Sequence, residues 1–500
     1  MAQIFCTVLS TMALALASAC FTVSAQAGTG LVTQDPTALR GAANDTAPVL
    51  TTLWRGDTLE LRGERGDYLQ VWDHGRERGG YVRKSQVMAV GSDEAAARDL
   101  MAVLRYVRDQ PGAEAFGLGL ASAALQAAPA SMLAESAGAE LLDAIGQQAE
   151  RLAARASAGA PPRAQDQAAL TAHLDIAARQ GVRFQSREAD GRVLLCYDGE
   201  AYRRLLAMKQ ANSEQRARAA LALTRPECLD SAATPRVREE ADNWRAEVLD
   251  RASNAGDAAL PAHWKNRVAA RRAAVWSSLA FARARRGDAL AAQAAADRAL
   301  RELAAVTKTD LADDDLVRFN EAAMRVNAVR WAATPLTTPS PGLAITTTRT
   351  DDGQTCVSLT DSHQPGSAAL AQRCTWGIAW VASSTSNRER TALALAVQPV
   401  DGWRELWVFR KDANEWSVNV LPPNAAAPGV GYAEFAGWVP GGQQMLVARE
   451  AIAEGRTLRR FEVLKLDTLT AERQASEPSV LGAFNRWTDA AWKRDSTAMR

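Results

Sequence analysis

The chain has 500 residues, of which 47% are hydrophobic and 23% are charged, and its formal net charge is +1. This length predicts about three domains of ordinary globular composition. A charge so close to zero gives no reason to expect nucleic acid or an anionic membrane surface as a partner. Four histidines leave little material for histidine-based metal binding or acid–base catalysis.

Residues 1–27 have the pattern of a secretory signal peptide. Residues 4–25 carry no charge and are mostly apolar, and two overlapping small-x-small motifs end at Ala25 and Ala27. We therefore expect cleavage after one of these alanines and a periplasmic or secreted location in a Gram-negative bacterium. The alternatives are an uncleaved membrane anchor and a lipoprotein built on Cys20. No later run is apolar and long enough to span a bilayer, so no membrane span is expected in the mature chain.

Removal of the signal would leave four cysteines, Cys196, Cys228, Cys356 and Cys374. In an oxidising compartment an even set of four predicts two disulfides, with three connectivities formally open. Proximity in sequence favours pairing within 196–228 and within 356–374. A hairpin of two antiparallel helices inside the first segment would also bring its ends together. Two free buried thiols are the alternative for that pair.

Residues 28–37 are small and polar and predict a tether. Residues 39–87 then predict about five short strands, because apolar and polar residues alternate between glycine-containing turns. The turns are Arg55-Gly56-Asp57, Arg65-Gly66-Asp67 and Gly79-Gly80. These are the proportions of a small β-barrel.

This stretch resembles the bacterial SH3-like (SH3b) family. The resemblance rests on an Ala-Leu-Arg opening that ends at Arg40, the Gly-Asp turns, the Tyr68–Trp72 strand and a Gly-Tyr-Val close that ends at Val82. The family's Asn-Val-Arg-x-x-Pro opening is replaced by Leu-Arg-Gly-Ala. The resemblance implies a small SH3-like β-barrel over residues 28–91. Such a module binds peptidoglycan or a peptide, or targets and spaces other domains.

Four aromatic side chains of this module are candidates for a ligand groove: Trp54, Tyr68, Trp72 and Tyr81. The alternative is that most of them fill the core, because aromatic residues dominate burial in small domains.

Residues 92–333 are rich in Ala, Leu, Arg, Glu and Gln, which are strong helix formers, and predict an α-helical domain. Ser92-Asp93-Glu94 resembles a helix start. We interpret the basic run Arg267–Arg272 as a solvated helix face. The run Asp313–Asp315 is predicted to begin a helix, where acids complement the helix dipole, with metal binding as the alternative.

The segment Trp276–Leu300 resembles one tetratricopeptide repeat. Trp276, Leu279 and Ala280 occupy the motif's positions in a first helix, Gly287-Asp288 supplies a turn, and small residues follow at positions 292, 296 and 299. Arg283 replaces the usual aromatic residue, and the later proline is absent. A repeat array needs neighbouring copies, so an irregular alanine-rich bundle is the alternative.

Residues 334–342 predict a linker, and residues 343–475 predict an antiparallel all-β domain of short strands. A faint internal repeat relates Trp380-Val381 to Trp438-Val439, since each is followed by a strand and then a strand pair. The second copy resembles the start of a β-propeller blade. A closed propeller usually takes about four or more blades, so we expect a blade-like sheet or a sandwich that packs on the helices. Residues 476–500 are predicted to form a tail with a short helix between Phe484 and Trp492.

The motifs of common enzymes and metal sites were not found. The chain lacks a phosphate-binding loop, a dinucleotide fingerprint, a Gly-x-Ser-x-Gly elbow, His-Glu-x-x-His and Cys-x-x-Cys. The sequence therefore predicts no catalytic residue, cofactor or metal ligand. The leading hypothesis is an exported cell-envelope binding or scaffold protein whose SH3-like module targets peptidoglycan or an envelope protein. The alternatives are a cell-wall hydrolase with an accessory SH3-like module, whose carboxylates would meet only in space, and a structural protein without a ligand.

Overall fold

The computed structural model describes residues 28–161, 163–189, 191–230, 232–253, 260–335, 342–363, 368–413 and 415–495. The predicted signal peptide and most of the predicted linker lie outside this part of the chain. In the described ranges no helix is both long and apolar enough to cross a membrane. Contacts divide the chain into two compact units. The first unit ends at Pro129 and also contains Ala160–Gly181, and the second comprises Ala130–Gly159 and the chain from Val182 onward.

The first unit contains strands β1–β7 and helices α1, α2 and α5; the other elements belong to the second. In chain order the strands are β1 Gly28–Val32, β2 Thr37–Arg40, β3 Val49–Leu53, β4 Thr58–Arg65, β5 Tyr68–Asp73, β6 Arg78–Arg83, β7 Val87–Val90, β8 Phe184–Ala189, β9 Arg192–Tyr197, β10 Leu343–Arg349, β11 Thr355–Asp361, β12 Ala371–Thr375, β13 Ile378–Ser386, β14 Ala392–Val400, β15 Trp403–Asp412, β16 Glu415–Leu421, β17 Gly431–Val439, β18 Gln444–Ala453, β19 Arg456–Lys465 and β20 Ala471–Ala475. The helices are α1 Glu94–Val107, α2 Glu114–Ala127, α3 Ala130–Leu133, α4 Ser136–Ser157, α5 Ala164–Arg179, α6 Glu200–Ala207, α7 Ser213–Leu223, α8 Pro235–Ser253, α9 Ala262–Arg286, α10 Ala289–Ala304, α11 Asp313–Val329, α12 Gly482–Trp487 and α13 Ala490–Asp495.

Strands β1–β7 form one antiparallel sheet in the order β3-β2-β6-β5-β4-β1-β7. The predicted alternation is confirmed on β5, where Leu69 and Val71 enter the core. The predicted tether is wrong over 28–32, because β1 pairs with both β4 and β7 and buries Leu31 and Val32. The sequence signal for this strand is only two apolar residues. Pairing on both edges is a tertiary effect that local composition does not reveal.

Helix α5 is attached to this sheet by two side chains, one in the middle of the helix and one at its C-terminal end. Nε2 of His173 donates to Oδ2 of Asp35 over 3.0 Å, and Nη2 of Arg179 donates to Oδ1 of Asp57 over 2.6 Å. Asp57 is almost fully buried and also accepts from Nη2 of Arg76 at 3.1 Å. The Gly-Asp turn predicted from sequence therefore also serves as an attachment point for a helix far along the chain.

The helical part of the second unit contains one hairpin of strands that the sequence did not predict. Strands β8 and β9 pair in antiparallel register between Phe184 and Tyr197. The predicted α-helical domain over 92–333 is helical elsewhere, but the prediction is wrong for these two strands. The sequence signal for β9 is a continuous apolar run, Val-Leu-Leu-Cys-Tyr, which ends at Tyr197. In the structure a turn that contains Gly191, with φ +70°, precedes this run. Such a short run is compatible with either a strand or a buried helix.

Both predicted cysteine pairs are within disulfide distance. Cys196 at the end of β9 joins Cys228 in the 3-10 turn that follows α7, with Cα atoms 5.8 Å apart. Cys356 and Cys374 lie directly opposite each other on β11 and β12 and form the second disulfide. The helical hairpin of α6 and α7 lies between the first pair, as expected from the sequence.

The predicted helical hairpin at 276–300 is confirmed as a pair of helices, α9 and α10. Gly287 between them has φ +88°, and Oδ1 of Asp288 accepts from the amide of Ala291 at 3.0 Å, which caps α10. The small residues predicted at the helix interface, Ala292, Ala296 and Ala299, are buried. Helix α9 begins at Ala262, well before the tetratricopeptide-like segment.

The C-terminal region is all-β, as predicted, apart from its last two helices. Strands β10–β12 form a three-stranded sheet, and β13–β16 and β17–β20 form two four-stranded meanders. A short parallel pairing of β15 with β17 joins the meanders. The internal repeat seen between Trp380 and Trp438 corresponds to these two meanders.

The sheets are stacked face to face, because successive residues of a strand point to opposite faces. On β14, Leu393 and Leu395 pack toward β10–β12, whereas Ala392 and Ala394 pack toward the second meander. On the second meander, Leu446 faces away from the first, toward α12 and α13. The layers therefore follow in the order β10–β12, first meander, second meander, and helices α12 and α13. The predicted helix near the C-terminus is present as two short ones.

A buried ion network joins the helices to the second meander. Nη2 of Arg330 and Nδ2 of Asn327 both donate to Glu434, the latter over 3.2 Å. Arg404 is fully buried, donates to the carbonyl of Asn327, and has its Nη2 3.5 Å from Oε2 of Glu434. The network therefore links the helical region, which precedes the predicted linker, to the β region, which follows it.

Candidate functional site

Three of the four aromatic residues predicted to form a groove lie on one face of the N-terminal sheet. Tyr68 and Trp72 alternate with the core residues of β5, and Tyr81 of β6 is directly opposite Gln70. Because these positions point away from the core, the three rings share the outer face. Trp54 follows β3, which β2 separates from β6 in the sheet.

Cationic side chains stack on two of these rings. The guanidinium of Arg62 lies 4.6 Å from the ring centre of Trp72, and that of Arg83 lies 5.6 Å from the ring centre of Tyr68. Tyr68 is buried and its hydroxyl donates to Asp45, whereas Trp72 and Tyr81 are partly exposed. The Trp72 ring lies across Gly79, where an added Cβ would be 3.0 Å from the indole. Trp72 and Tyr81 are therefore the members of this face available to a ligand.

A second candidate site is a cavity of about 830 Å³ in the helical part of the second unit. We call it the arginine cavity, because nine arginines line it: Arg151, Arg218, Arg225, Arg238, Arg245, Arg267, Arg271, Arg318 and Arg325. Eight carboxylates share the lining: Glu150, Glu188, Glu227, Asp230, Asp242, Asp315, Glu321 and Asp401. Helices α4, α7, α8, α9 and α11 supply most of these side chains. The volume lies in the usual range for small-molecule sites, about 300–1,000 Å³.

The C-terminal end of α7 anchors two of the arginines. The carbonyl oxygen of Thr224 accepts from Nε and Nη2 of Arg245, at 3.1 and 2.8 Å, and from Nη1 of Arg271, at 2.6 Å. The carbonyl of Leu221 accepts from Arg271 at 3.3 Å. The last carbonyls of a helix lack intrahelical partners and carry partial negative charge, so they stabilise guanidinium groups.

Most of the other arginines are paired with carboxylates. Arg225 contacts Glu150 and places Nε 2.9 Å from Glu227. Arg325 bridges Glu321, at 3.1 Å, and Asp401, at 3.4 Å. These pairs hold the cavity wall together, because each guanidinium crosses between separate segments of the chain.

The side chains of Arg218 and Arg267 enclose an indole. Their guanidinium carbons lie 5.4 and 5.1 Å from the ring centre of Trp264. Arg218 also contacts Asp143, and Nε of Arg267 donates to both carboxylate oxygens of Asp315 at 2.9 Å. The stacking and the ion pairs together fix the orientation of both guanidinium groups.

Burial changes the ionisation of several groups in the cavity. It lowers the pKa of Arg271 to about 10, and the nearby Arg245 cation adds to this effect. The pKa values of Glu150 and Asp242 are raised by burial, against the opposing effect of Arg225 and Arg245 respectively. At neutral pH Arg271 is still a cation, because its pKa is well above 7.

The basic run Arg267–Arg272 was interpreted as a solvated helix face, and this interpretation is wrong. Arg267 and Arg271 line the cavity, and Nη2 of Arg272 lies 2.8 Å from Asp250 and 3.3 Å from Glu302. The signal that could have located the site is the four-residue spacing of Arg267 and Arg271 among alanines. This spacing places both guanidiniums on one face of α9, beside small residues that let other helices approach.

The acidic run Asp313–Asp315 begins α11, as predicted. Asp315 is buried against Arg267, so it contributes to the cavity wall as well as to the first turn of the helix. Within the described ranges, no group of three or more His, Cys, Asp or Glu side chains is arranged to hold a metal ion.

Comparisons of this chain with known protein families, with curated proteins and with solved structures find no significant match. Fold alone does not determine function, so the function has to be inferred from the chemistry of the two sites.

Proposed function

We propose that this chain is an exported cell-envelope binding or scaffold protein in which the seven-stranded sheet is an SH3-like module. The observation that carries the proposal is the partly exposed pair of rings on the outer face of the sheet, Trp72 and Tyr81. Rings with an apolar face and a polar edge, flanked by cations, suit ligands of mixed polarity such as peptidoglycan or a segment of an envelope protein. The two disulfides support export, since disulfides persist in oxidising compartments.

The test is binding of the mature chain to purified peptidoglycan sacculi and, in parallel, affinity capture from envelope extract. Saturable binding to sacculi that falls at least ten-fold in Trp72→Ala and Tyr81→Ala would support peptidoglycan as the ligand. A discrete envelope protein captured by the wild type, and lost with the same variants, would support a protein partner. Trp376→Ala is the matched control, because Trp376 is an exposed tryptophan of the second unit. Binding in neither assay, with folded protein by circular dichroism, would overturn the proposal.

A second candidate function is hydrolysis of the cell wall in the arginine cavity. It is favoured by one observation: burial raises the pKa of two carboxyls in the cavity lining, Glu150 and Asp242, and a general acid needs a pKa above the ordinary carboxyl value. Each of these carboxyls is also paired with an arginine. The test is release of soluble fragments from labelled sacculi by the wild type and by the Glu150→Gln and Asp242→Asn variants. Release that both variants retain, or no release at all, would reject this candidate.

A further inference from the structure

The arginine cavity presents hydrogen-bond donors that the protein itself does not use. A guanidinium has five N–H donors. Arg267 uses Nε on Asp315, and Arg271 uses Nη1 on the carbonyls of Leu221 and Thr224. Among the described residues, the other nitrogens of these two side chains form no hydrogen bond. Both side chains are only partly buried, so these donors face accessible space.

The two donors are held in place before any ligand arrives. The α7 carbonyls fix Arg271, while Asp315 and the Trp264 ring fix Arg267. Arg267 and Arg271 are four residues apart on α9, so their guanidiniums lie on the same face of that helix. Donors already held in position bind more tightly, because less side-chain entropy is lost on association.

The lining also contains carboxylates that are open to solvent. Glu188 and Asp230 line the same cavity and are exposed, and neither has an ion-pair partner among the described residues. In the described part of the chain, the Asp230 side chain accepts one hydrogen bond, from the amide of Ala232 at 2.9 Å. The lining therefore offers both free guanidinium donors, on α9, and exposed carboxylates.

We propose that the arginine cavity binds a short zwitterionic peptide, with a carboxylate at Arg267 and Arg271 and an ammonium group toward Glu188 and Asp230. A guanidinium binds a carboxylate through two parallel N–H donors, which the free nitrogens of these arginines provide. A peptide of about two to four residues matches a cavity in this size range. The inference is independent of the aromatic face of the first unit.

The balance of charge in the lining favours this ligand over a phosphate. Eight carboxylates nearly offset nine guanidiniums, so a dianion gains little attraction on entering the cavity. A zwitterion pairs with both signs of charge. The same balance predicts only moderate sensitivity to salt, since the ligand carries no net charge.

The test is isothermal titration calorimetry of the full mature chain with trialanine, trialanine amide, N-acetyl-trialanine and inorganic phosphate. We expect saturable binding of trialanine, a loss of at least ten-fold on amidation, a smaller loss on acetylation, and no saturable binding of phosphate. Equal affinity for trialanine and its amide, tighter binding of phosphate, or no binding of any peptide would overturn the proposal.

The variants Arg267→Gln and Arg271→Lys should each weaken trialanine binding at least ten-fold. Lysine retains the charge but not the paired donors, so Arg271→Lys also separates geometry from net charge. Arg267→Lys serves as a second variant in case Arg271→Lys unfolds the end of α7. The matched control is Arg251→Gln, because Arg251 is an exposed residue of α8 that pairs with the exposed Glu247. An equal loss with Arg251→Gln would contradict the assignment. Trp72→Ala should leave the titration unchanged, so failure here is distinguishable from failure of sacculus binding.

Discussion

Arginine carries much of the interior chemistry of the second unit. Arg404 is fully buried, and burial together with the nearby Arg330 cation lowers its pKa to about 10, although Glu434 opposes the shift. Burial alone would raise the pKa of Glu434, but Arg330 and Arg404 outweigh it and the pKa is lowered. Glu434 thus pairs with Arg330 and lies close to Arg404. A buried charge that loses its partner is strongly destabilising, because neither water nor a counter-charge replaces it.

The substitution Glu434→Gln should therefore lower the free energy of unfolding by about 3–5 kcal/mol. Urea denaturation followed by circular dichroism measures the change. The control is Glu240→Gln, since Glu240 forms an exposed pair with Arg236 on α8 and should contribute about 0.5 kcal/mol or less. Similar midpoints for the two variants would show that the buried network does not stabilise the fold.

The contact between Asp35 and His173 predicts how the stability of the first unit changes with pH. Burial would raise the pKa of Asp35, but hydrogen bonds from His173 and from the Arg55 amide outweigh it, so the pKa is lowered on folding. At pH values between the folded-state and unfolded-state pKa of Asp35, the folded state therefore binds fewer protons than the unfolded state. The stabilisation is present above the ordinary aspartate pKa of about 4 and is lost as pH falls through the folded-state value.

Asp35→Asn should accordingly lower stability by about 1–2 kcal/mol at pH 7, and the difference from wild type should shrink below about pH 4. Urea denaturation at a series of pH values between 3 and 7 measures it. Asp99→Asn is the control, because Asp99 is an exposed carboxyl of α1. A difference that is constant over this pH range would rule out the Asp35 titration as its cause.

At the scale of elements, the two Gly-Asp turns of the N-terminal sheet look alike in sequence and differ in their surroundings. Gly56 has φ +98°, and a Cβ there would lie 2.5 Å from the carbonyl oxygen of Ala115 on α2. Gly66 has φ +60°, and no atom of the described residues lies within 4 Å of an added Cβ. Both glycines adopt a left-handed conformation, but Gly56 also lies in close contact with helix α2.

Gly66→Ala should therefore cost about 1–2 kcal/mol, the price of the left-handed backbone. Gly56→Ala should cost about 3 kcal/mol or more, because overpacking against a backbone carbonyl adds to that strain. Thermal and urea unfolding of the two variants give the comparison. Equal destabilisation would mean that α2 moves away from the turn at little cost.

At the scale of the whole molecule, the stack of sheets in the second unit needs a cover at its C-terminal end. The outer face of the second meander packs on Leu481 and Phe484, and the ring centres of Phe461 and Phe484 are 5.5 Å apart. A stacked architecture exposes an apolar face wherever the stack stops, so a capping element prevents association.

Phe484→Ala should reduce the free energy of unfolding by about 3–5 kcal/mol, and truncation after residue 475 should cause self-association. Denaturant titration tests the first effect and size-exclusion chromatography the second. Trp487→Ala, which alters an exposed ring less than one turn further along α12, should stay within about 0.5 kcal/mol of wild type. A monomeric, stable truncated chain would show that α12 and α13 are dispensable.

The sequence alone determined the features that depend on neighbouring residues. Alternation identified β5 and placed Tyr68 and Trp72 opposite the core, and the Gly287-Asp288 turn identified the α9–α10 hairpin. The spacing of the cysteines indicated both disulfide pairs, because a short loop keeps its two ends close. The internal repeat of the C-terminal region was also visible, since each meander repeats the same order of strands.

Tertiary structure decided the features that join distant segments. In the N-terminal sheet β1 pairs with a strand on each side, although the sequence of β1 contains only two large apolar residues, Leu31 and Val32. Arg218 of α7 and Arg267 of α9 are 49 positions apart in the sequence, yet both contact the same indole in the arginine cavity. A charged residue on a helix has the same local pattern whether it faces water or another helix. Only the packing of the helices shows which arginines have partners and which have donors left for a ligand.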